Sequence, residues 1–577
     1  MILDKVNSPS DVKMLNKDEL NTLADEIRKV LINKVEITGG HMGSNLGFIE
    51  PTIALHYVFS TPKDKIIYDV SHQCYTHKIL TGRKDNFLDE SKFDDISGYT
   101  NPNESIHDFF QIGHTSTSIS LACGMAIARD LKKEDGNVIA VIGDGSLTGG
   151  EAFEGLNNAS VLKSNIIIVV NDNEMSIAEN KGGMVGALKT LRESDGTCNN
   201  NFFKALGFDY YYVKDGNDVK ALIDVFKKVK DVNHPVVIHV HTLKGKGYLP
   251  ALENKERGHW LMPKDFKFKN EETYEEIFKN FIYEKASNDE SIIGITAATP
   301  GVVGFTKEFR EKVKKHYLDV GIAEQHAVTL SSAIAKAGAK PYFGVHSSFI
   351  QRAYDQLSQC LALNNNPAVI VVFSAGLSSM DATHVGAFDI PLISNIPNLV
   401  YLAPTCKEEF VSMLEYSYAE KEHPIVIRVP QDDVLVKKVE DKTDYGKLNK
   451  FKVEHKGNTV AVLAVGDFYR LGMSLKDALK EELNIDATFI NPIYLTGLDL
   501  ELLEKLKDNH SIIVTLENGV LDGGFGEKIA RYYGNSTMKV LNYGGKKEFT
   551  DRKSLNDIYE ENHLTTSKMI EDIKKLI

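Results

Sequence analysis

Asp144 and Asn173 are the two residues whose types and spacing imply chemistry most directly. Asp144 lies in Gly143-Asp144-Gly145, straight after an apolar run at 138–142. Asn173 lies in Asn171-Asp172-Asn173, straight after another at 165–170. A separation of about thirty residues fits one strand–helix–strand unit, which sets both residues at the carboxyl ends of neighbouring parallel strands, where α/β proteins bind ligands. A carboxylate and an amide oxygen are hard ligands suited to Mg2+ or Ca2+, and Mg2+ completes its octahedron with water and phosphate oxygens. The pair reads as a metal bridge to a diphosphate. Two other readings compete. A Gly-Asp-Gly turn alone is better explained by an Asp that caps the next helix. A dinucleotide loop with Asp172 on a ribose would make the chain a nicotinamide oxidoreductase. The matching Asn173 tells against the first. Asp144 tells against the second, because a carboxylate inside a phosphate loop repels the pyrophosphate unless a cation lies between them.

Glu324 is the second candidate, in Gly321-Ile322-Ala323-Glu324-Gln325-His326 at a predicted strand-to-helix junction. A partly buried Glu has a raised pKa and can share a proton with a ring nitrogen at neutral pH. Alone, it is better read as a first-turn acid complementing the helix dipole. Beside the metal pair, the catalytic reading wins. Gly-Asp-Gly followed by this Asn resembles the thiamine-diphosphate motif, which implies thiamine diphosphate and Mg2+ as cofactors. By that resemblance Met175 lends a backbone carbonyl to the metal and Ile177 props the bent cofactor. Glu324 holds N1′ of the aminopyrimidine, so that the cofactor deprotonates its own thiazolium carbon.

Further segments make the resemblance specific: Gly39-Gly40-His41, His72-Gln73-Cys74-Tyr75-Thr76-His77-Lys78, Gly113-His114-Thr115-Ser116, Ile322-Ala323-Glu324-Gln325-His326-Ala327-Val328-Thr329 and Gln351-Arg352-Ala353-Tyr354-Asp355-Gln356. They resemble the 1-deoxy-D-xylulose-5-phosphate synthase family of the transketolase superfamily. The implied reaction is decarboxylative condensation of pyruvate with D-glyceraldehyde 3-phosphate, feeding isoprenoid and thiamine precursors. The alternative is a carboligase or transketolase-like enzyme with another aldehyde, phosphorylated or not. The implied catalytic residues are Glu324, His41, His72 and His384. The cofactor side comprises His72, Gly113, His114, Gly145, Ser146, Asn173, Ile177, Lys244, Glu324 and Phe349, with Asp144, Asn173 and Met175 on the metal. The substrate side comprises His41, His259, His346, Arg352, Asp381 and Arg428. Any one histidine of the 18 in the chain is otherwise an ordinary structural residue.

The chain departs from the family pattern at the acceptor end. Ser374 and Gln431 stand where arginines are usual, His346 stands for a tyrosine, Asp381-Ala382-Thr383-His384 is shortened, and the stretch after Ile177 is short. Losing a charge-assisted hydrogen bond typically costs about 1.5–3 kcal/mol. Either Arg428, Arg352 or His346 compensates, or the acceptor differs.

These residues need a scaffold. The chain's 577 residues exceed one hydrophobic core, so three or so domains are expected at roughly 100–200 residues each. Short β-branched runs at 66–70, 138–142, 165–170, 236–241, 292–296, 368–373, 425–429, 459–465 and 511–516 predict parallel strands buried on both faces. Helices are predicted at 116–131, 151–162, 274–286, 323–337 and 407–419. The fold class is α/β with mainly parallel sheets, and polar stretches at 263–272 and 437–456 divide it into domains 1–270, 271–440 and 441–577. A net charge of −13 without a basic block disfavours nucleic-acid binding. The apolar runs are too short for a membrane span. Five scattered cysteines without CxxC spacing, and a start lacking a signal-peptide pattern, predict a reducing, cytoplasmic setting. The resemblance implies a homodimer with its active site between two α/β domains.

Overall fold

The structure is a computed structural model that describes residues 1–265, 272–431 and 434–577. Its described residues are organised by three large sheets. The first runs Lys65–Tyr68, Val138–Gly143, Ile166–Asp172, Pro235–His241, Asp209–Val213, every pair parallel. The second runs Val400–Leu402, Ile425–Arg428, Val369–Phe373, Lys340–His346, Ile292–Thr296, Tyr317–Asp319, also parallel throughout. The third runs Lys452–His455, Thr488–Asn491, Thr459–Ala464, His510–Val520, Lys539–Gly545, with only its first strand antiparallel. The α/β class with mainly parallel sheets is as expected. One compact unit holds the first sheet, and another holds the second and third.

The apolar runs become central strands because both of their faces are covered. Val138, Ala140 and Ile142 enter one core, with Ile119 and Leu156 from the helices Ser118–Lys132 and Gly150–Ala159. Ile139 and Val141 enter the core on the other face. This is the period-two alternation of a strand with two buried sides. In the second unit, Ile370 and Val372 share a single core with Ala461, Leu463 and Ile513 of the third sheet.

The helices Tyr274–Ala286 and Lys407–Ala419 match their expected limits, and Thr273 caps the first in a reciprocal box with Glu276. Differences have local causes. The strand expected at 66–70 stops at Tyr68 because Val70 and Ser71 take left-handed backbone, φ 57° and 64°. The helix expected from 116 begins at Ser118 because Ser116 has φ 77°. Lys340–His346 escapes the sequence pattern because Pro341 and Gly344 interrupt its apolar run. The boundary expected at 270/271 lies outside the described residues. Among the described residues no helix is long and apolar enough to cross a membrane.

Candidate active site

In the first unit, Gly143 pairs with Asn171, so Asp144 and Asn173 leave the ends of adjacent parallel strands. Both side chains are buried. Asp144 Oδ1 accepts the Gly145 N–H at 3.0 Å, and Oδ2 accepts an amide N–H of Asn180 at 2.8 Å. Asn173 Oδ1 accepts the Met175 N–H at 3.2 Å across a turn whose middle residue, Glu174, is left-handed at φ 69°. A Cβ on Gly145 would lie 2.7 Å from Ser176 Cβ, so the Asp144 loop packs directly on the segment of Met175 and Ile177. The Ser146 carbonyl accepts the Ser116 hydroxyl at 2.8 Å, and Asp69 accepts the N–H groups of Ser116 and Ser118 at 2.8 and 2.9 Å. These bonds seat buried Gly113 and half-buried His114 beside the same strand ends. Lys244 Nζ donates to the Ser176 carbonyl and to His259 Nδ1, the latter at 3.0 Å.

The electrostatics call for a cation here. Burial pushes the Asp144 carboxyl well up, and neighbouring Asp172 adds to the rise. Asp172 stays at about 2. Burial opposes its ionisation, but the His239 hydrogen bond and the Arg192 guanidinium outweigh it. Held by Arg192 at 2.5 Å and His239 at 2.8 Å and fully buried, Asp172 does not present itself to a ribose, which removes the dinucleotide reading. Lys244 is lowered to about 8 by burial. Among the described residues no group of three or more His, Cys, Asp or Glu forms a metal cage. A single carboxylate with amide and carbonyl oxygens suits Mg2+ that takes its remaining ligands from phosphate and water.

Three expected histidines gather close by. The rings of His41, His72 and His259 lie 4.9, 5.3 and 5.4 Å apart, and Trp260 stands edge-on to His41 at 4.5 Å. His72 is lowered to about 3 and His259 well below its usual value, in both cases by burial first and Lys244 second. Both are neutral at pH 7 and can pass a proton only through their tautomers. Asn45, unsuspected from the sequence, donates to the carbonyls of His41 and His72 at 2.7 and 2.8 Å and so fixes their spacing.

In the second unit, Glu324 opens the helix Glu324–Lys336 after the strand Tyr317–Asp319. It is 4% exposed, and its Oε2 has no hydrogen-bond partner among the described residues. Burial raises its pKa, which Arg352 Nη1, 3.5 Å from Oε2, only partly offsets. Arg352, expected on a substrate, meets this carboxyl through Nη1. Phe349 sits on the helix Ser347–Ile350, capped by His346, whose Nδ1 accepts the Ser348 N–H at 3.2 Å. The rings of His346 and His384 lie 5.1 and 5.6 Å from Phe349. Asp381 accepts the His384 N–H on its carbonyl at 2.8 Å, and its carboxylate lies 3.8 Å from Arg552 Nε.

The structure corrects the expectation for Arg428. It is buried, its Nε and Nη2 donate to Asp389 at 2.6 and 3.2 Å, and Nη2 also donates to the Asn518 carbonyl at 2.8 Å. A guanidinium committed in this way is a buried ion pair between the second and third sheets and not a substrate ligand. Asn45, Asn180 and Asn518 share one property that hides them from sequence reading. Each acts by binding backbone or a buried partner, which no spacing rule reports.

The family model described as 1-deoxy-D-xylulose-5-phosphate synthase matches residues 3–199 and 194–242. The transketolase pyrimidine binding domain matches 271–435, and the transketolase C-terminal domain matches 449–567. A 1-deoxy-D-xylulose-5-phosphate synthase of Clostridium tetani is 38% identical over 100% of this chain and 99% of its own length. That of Clostridium acetobutylicum is 38% identical over 97% of each chain, and that of Francisella philomiragia 38% over 100% and 98%. With the metal pair, the buried glutamate and the histidine cluster all on one chain of matching length, it belongs to the 1-deoxy-D-xylulose-5-phosphate synthase family.

Proposed function

We propose that the chain condenses pyruvate with D-glyceraldehyde 3-phosphate to 1-deoxy-D-xylulose 5-phosphate and CO2, using thiamine diphosphate and Mg2+. The observation that carries this reading is Glu324, a buried carboxyl with a raised pKa and an oxygen left without a hydrogen-bond partner. Such an atom is expensive in a folded protein unless a ligand uses it. The donor set at Asp144, Asn173 and the Met175 carbonyl likewise fits a magnesium diphosphate, and Gly145 lets the Asp144 loop pack against the segment that carries Met175.

Bound thiamine diphosphate supplies a nucleophilic thiazolium carbon and takes up the electron pair left when CO2 departs. The chain's residues do the rest. Glu324 holds the proton at the aminopyrimidine nitrogen. Asp144, Asn173 and Met175 hold the metal. Gly113, His114, Gly145, Ser146, Ile177, Lys244 and Phe349 hold and shape the cofactor. His41 and the neutral His72 and His259 orient pyruvate and move protons, and the two neutral rings place no cation beside the metal. His346, Asp381 and His384 serve the acceptor. Ser374 and Gln431 stand where arginines are usual, but the relatives named above, matched over nearly their whole length, all bear the synthase name, which favours glyceraldehyde 3-phosphate as the acceptor.

A homodimer is the assembly we infer. The helix Ser118–Lys132 leaves Ile127 and Leu131 45% and 80% exposed, and Phe153 on Gly150–Ala159 is 39% exposed, apolar surface that a second copy would cover. Free cysteines throughout support a cytoplasmic setting. The test is turnover with pyruvate, glyceraldehyde 3-phosphate, thiamine diphosphate and Mg2+, read by CO2 release and mass spectrometry. Equal amounts of CO2 and deoxyxylulose phosphate are expected; CO2 with no sugar phosphate would sink the reading.

A further inference from the structure

Residues 374–386 carry Asp381, Thr383 and His384 and contain no helix or strand, so their shape depends on what their backbone binds. The segment leaves the strand Val369–Phe373 at Ser374, φ 54°, and closes where the Gly376 N–H donates to the Gly386 carbonyl at 3.1 Å. At this root the Ala375 N–H reaches Val429 at 3.0 Å, and Ser347 Oγ donates to the Gly386 carbonyl at 2.8 Å. Beyond the root, three hydrogen bonds tie the loop's backbone to the third domain. The Leu377 N–H donates to Asn518 Oδ1 at 2.7 Å, and the Ala382 N–H to Asp551 Oδ1 at 2.9 Å. The Arg552 N–H donates to the Met380 carbonyl at 2.9 Å. Asn518 is itself fixed: its Nδ2 donates to Asp467 at 2.5 Å and its carbonyl accepts Arg428 at 2.8 Å. A Cβ on Gly376 would come within 2.5 Å of Asn518 Nδ2, so nothing separates the two.

We propose that Asn518 and Asp551 are positioning residues by which the third domain holds this loop, keeps His384 edge-on to Phe349, and so governs use of the aldehyde acceptor. The proposal rests on the function proposed above. Ordering an irregular loop costs conformational entropy at every residue. An acceptor already rigid in a neighbouring strand, as Asn518 is in His510–Val520, lowers that cost because it needs no ordering of its own. The His384–Phe349 contact, 5.6 Å and 75°, is what such anchoring preserves. Asp551 is half-buried and lies in irregular chain between Lys539–Gly545 and Leu555–Glu561, so it can be replaced with little disturbance of a core.

The experiment compares Asp551→Ala, which removes the acceptor for the Ala382 N–H, with Asp551→Asn, which keeps Oδ1, in the holoenzyme with thiamine diphosphate and Mg2+. Asp551→Ala is expected to raise KM for glyceraldehyde 3-phosphate roughly tenfold, the worth of one well-made hydrogen bond. KM for pyruvate and cofactor affinity stay at the wild-type values, and Asp551→Asn restores the acceptor KM. Asn518→Ala moves the same constant in the same direction. Hydrogen exchange in peptides covering 374–386 rises in Asp551→Ala and not in Asp551→Asn. An unchanged acceptor KM, unchanged loop exchange, or a parallel loss of cofactor affinity, pyruvate KM and thermal stability overturns the proposal. If the wild-type protein makes no deoxyxylulose phosphate, the proposed function fails, while the exchange data still decide whether Asp551 anchors the loop.

Discussion

Glu324 concentrates two opposing demands on one side chain. Its buried carboxyl is costly to ionise and has an oxygen without a hydrogen-bond partner among the described residues, while Arg352, 3.5 Å from that oxygen, holds back part of the rise in pKa. A group poised in this way can share a proton. Glu324→Gln is expected to lower kcat on the order of 10²–10⁴-fold while its melting temperature equals or exceeds that of the wild type; steady-state rates beside calorimetry check both. A fully active Gln variant would remove Glu324 from the chemistry. For Asp144→Ala, losing one charge-assisted contact of about 1.5–3 kcal/mol predicts roughly 10–150-fold weaker Mg2+-dependent binding of thiamine diphosphate. Titration calorimetry with and without Mg2+ reads this, and metal-independent binding of unchanged strength would contradict it. At this scale much was legible in the sequence. Asp144, Asn173 and Glu324 reveal themselves through residue type and spacing. Arg428 misleads because an arginine beside a site looks the same in sequence whether it meets a ligand or an internal aspartate. Asn45 and Asn180 carry no signal, since an asparagine that bonds to backbone, as Asn45 does, or to one buried carboxylate, as Asn180 does, leaves no pattern.

Strands were legible where both faces are apolar, as in Val138–Gly143, and illegible where a proline, a glycine or a polar edge breaks the run, as in Lys340–His346 and Lys452–His455. One strand carries a further consequence. Glu517, inside His510–Val520, accepts the Gly526 and Phe525 N–H groups, each at 2.8 Å, at the start of the helix Phe525–Tyr533. Burial pushes this carboxyl up to about 7, and the two N–H groups pull it only part of the way back. Between its ordinary value near 4.5 and about 7, the folded protein holds a proton that the unfolded chain has lost. Its contribution therefore makes stability fall as pH rises across that window, by on the order of 3 kcal/mol. In Glu517→Gln this titration is absent. Urea midpoints at pH 5 and pH 7.5 are expected to show the wild type losing more stability than the variant over the interval; an equal loss in both would refute the assignment.

At the level of the molecule, net charge disfavours nucleic-acid binding and the apolar runs are too short for a membrane span, while assembly is implied only by family resemblance. The exposed Ile127 and Leu131 give assembly a physical handle. The wild type is expected to sediment as a dimer and the double variant Ile127→Asp with Leu131→Asp as a monomer; identical sedimentation would rule this helix out of the interface. Arg428 and the core shared by the second and third sheets bear on how the protein can be dissected. A gene cut near residue 440 would leave one fragment with Arg428 and Asp389 deprived of Asn518, and the other with half an apolar core open to water. Neither piece is a free-standing module, so recombination that exchanges the last quarter of this chain succeeds only when the donor brings its own matching partner for Arg428.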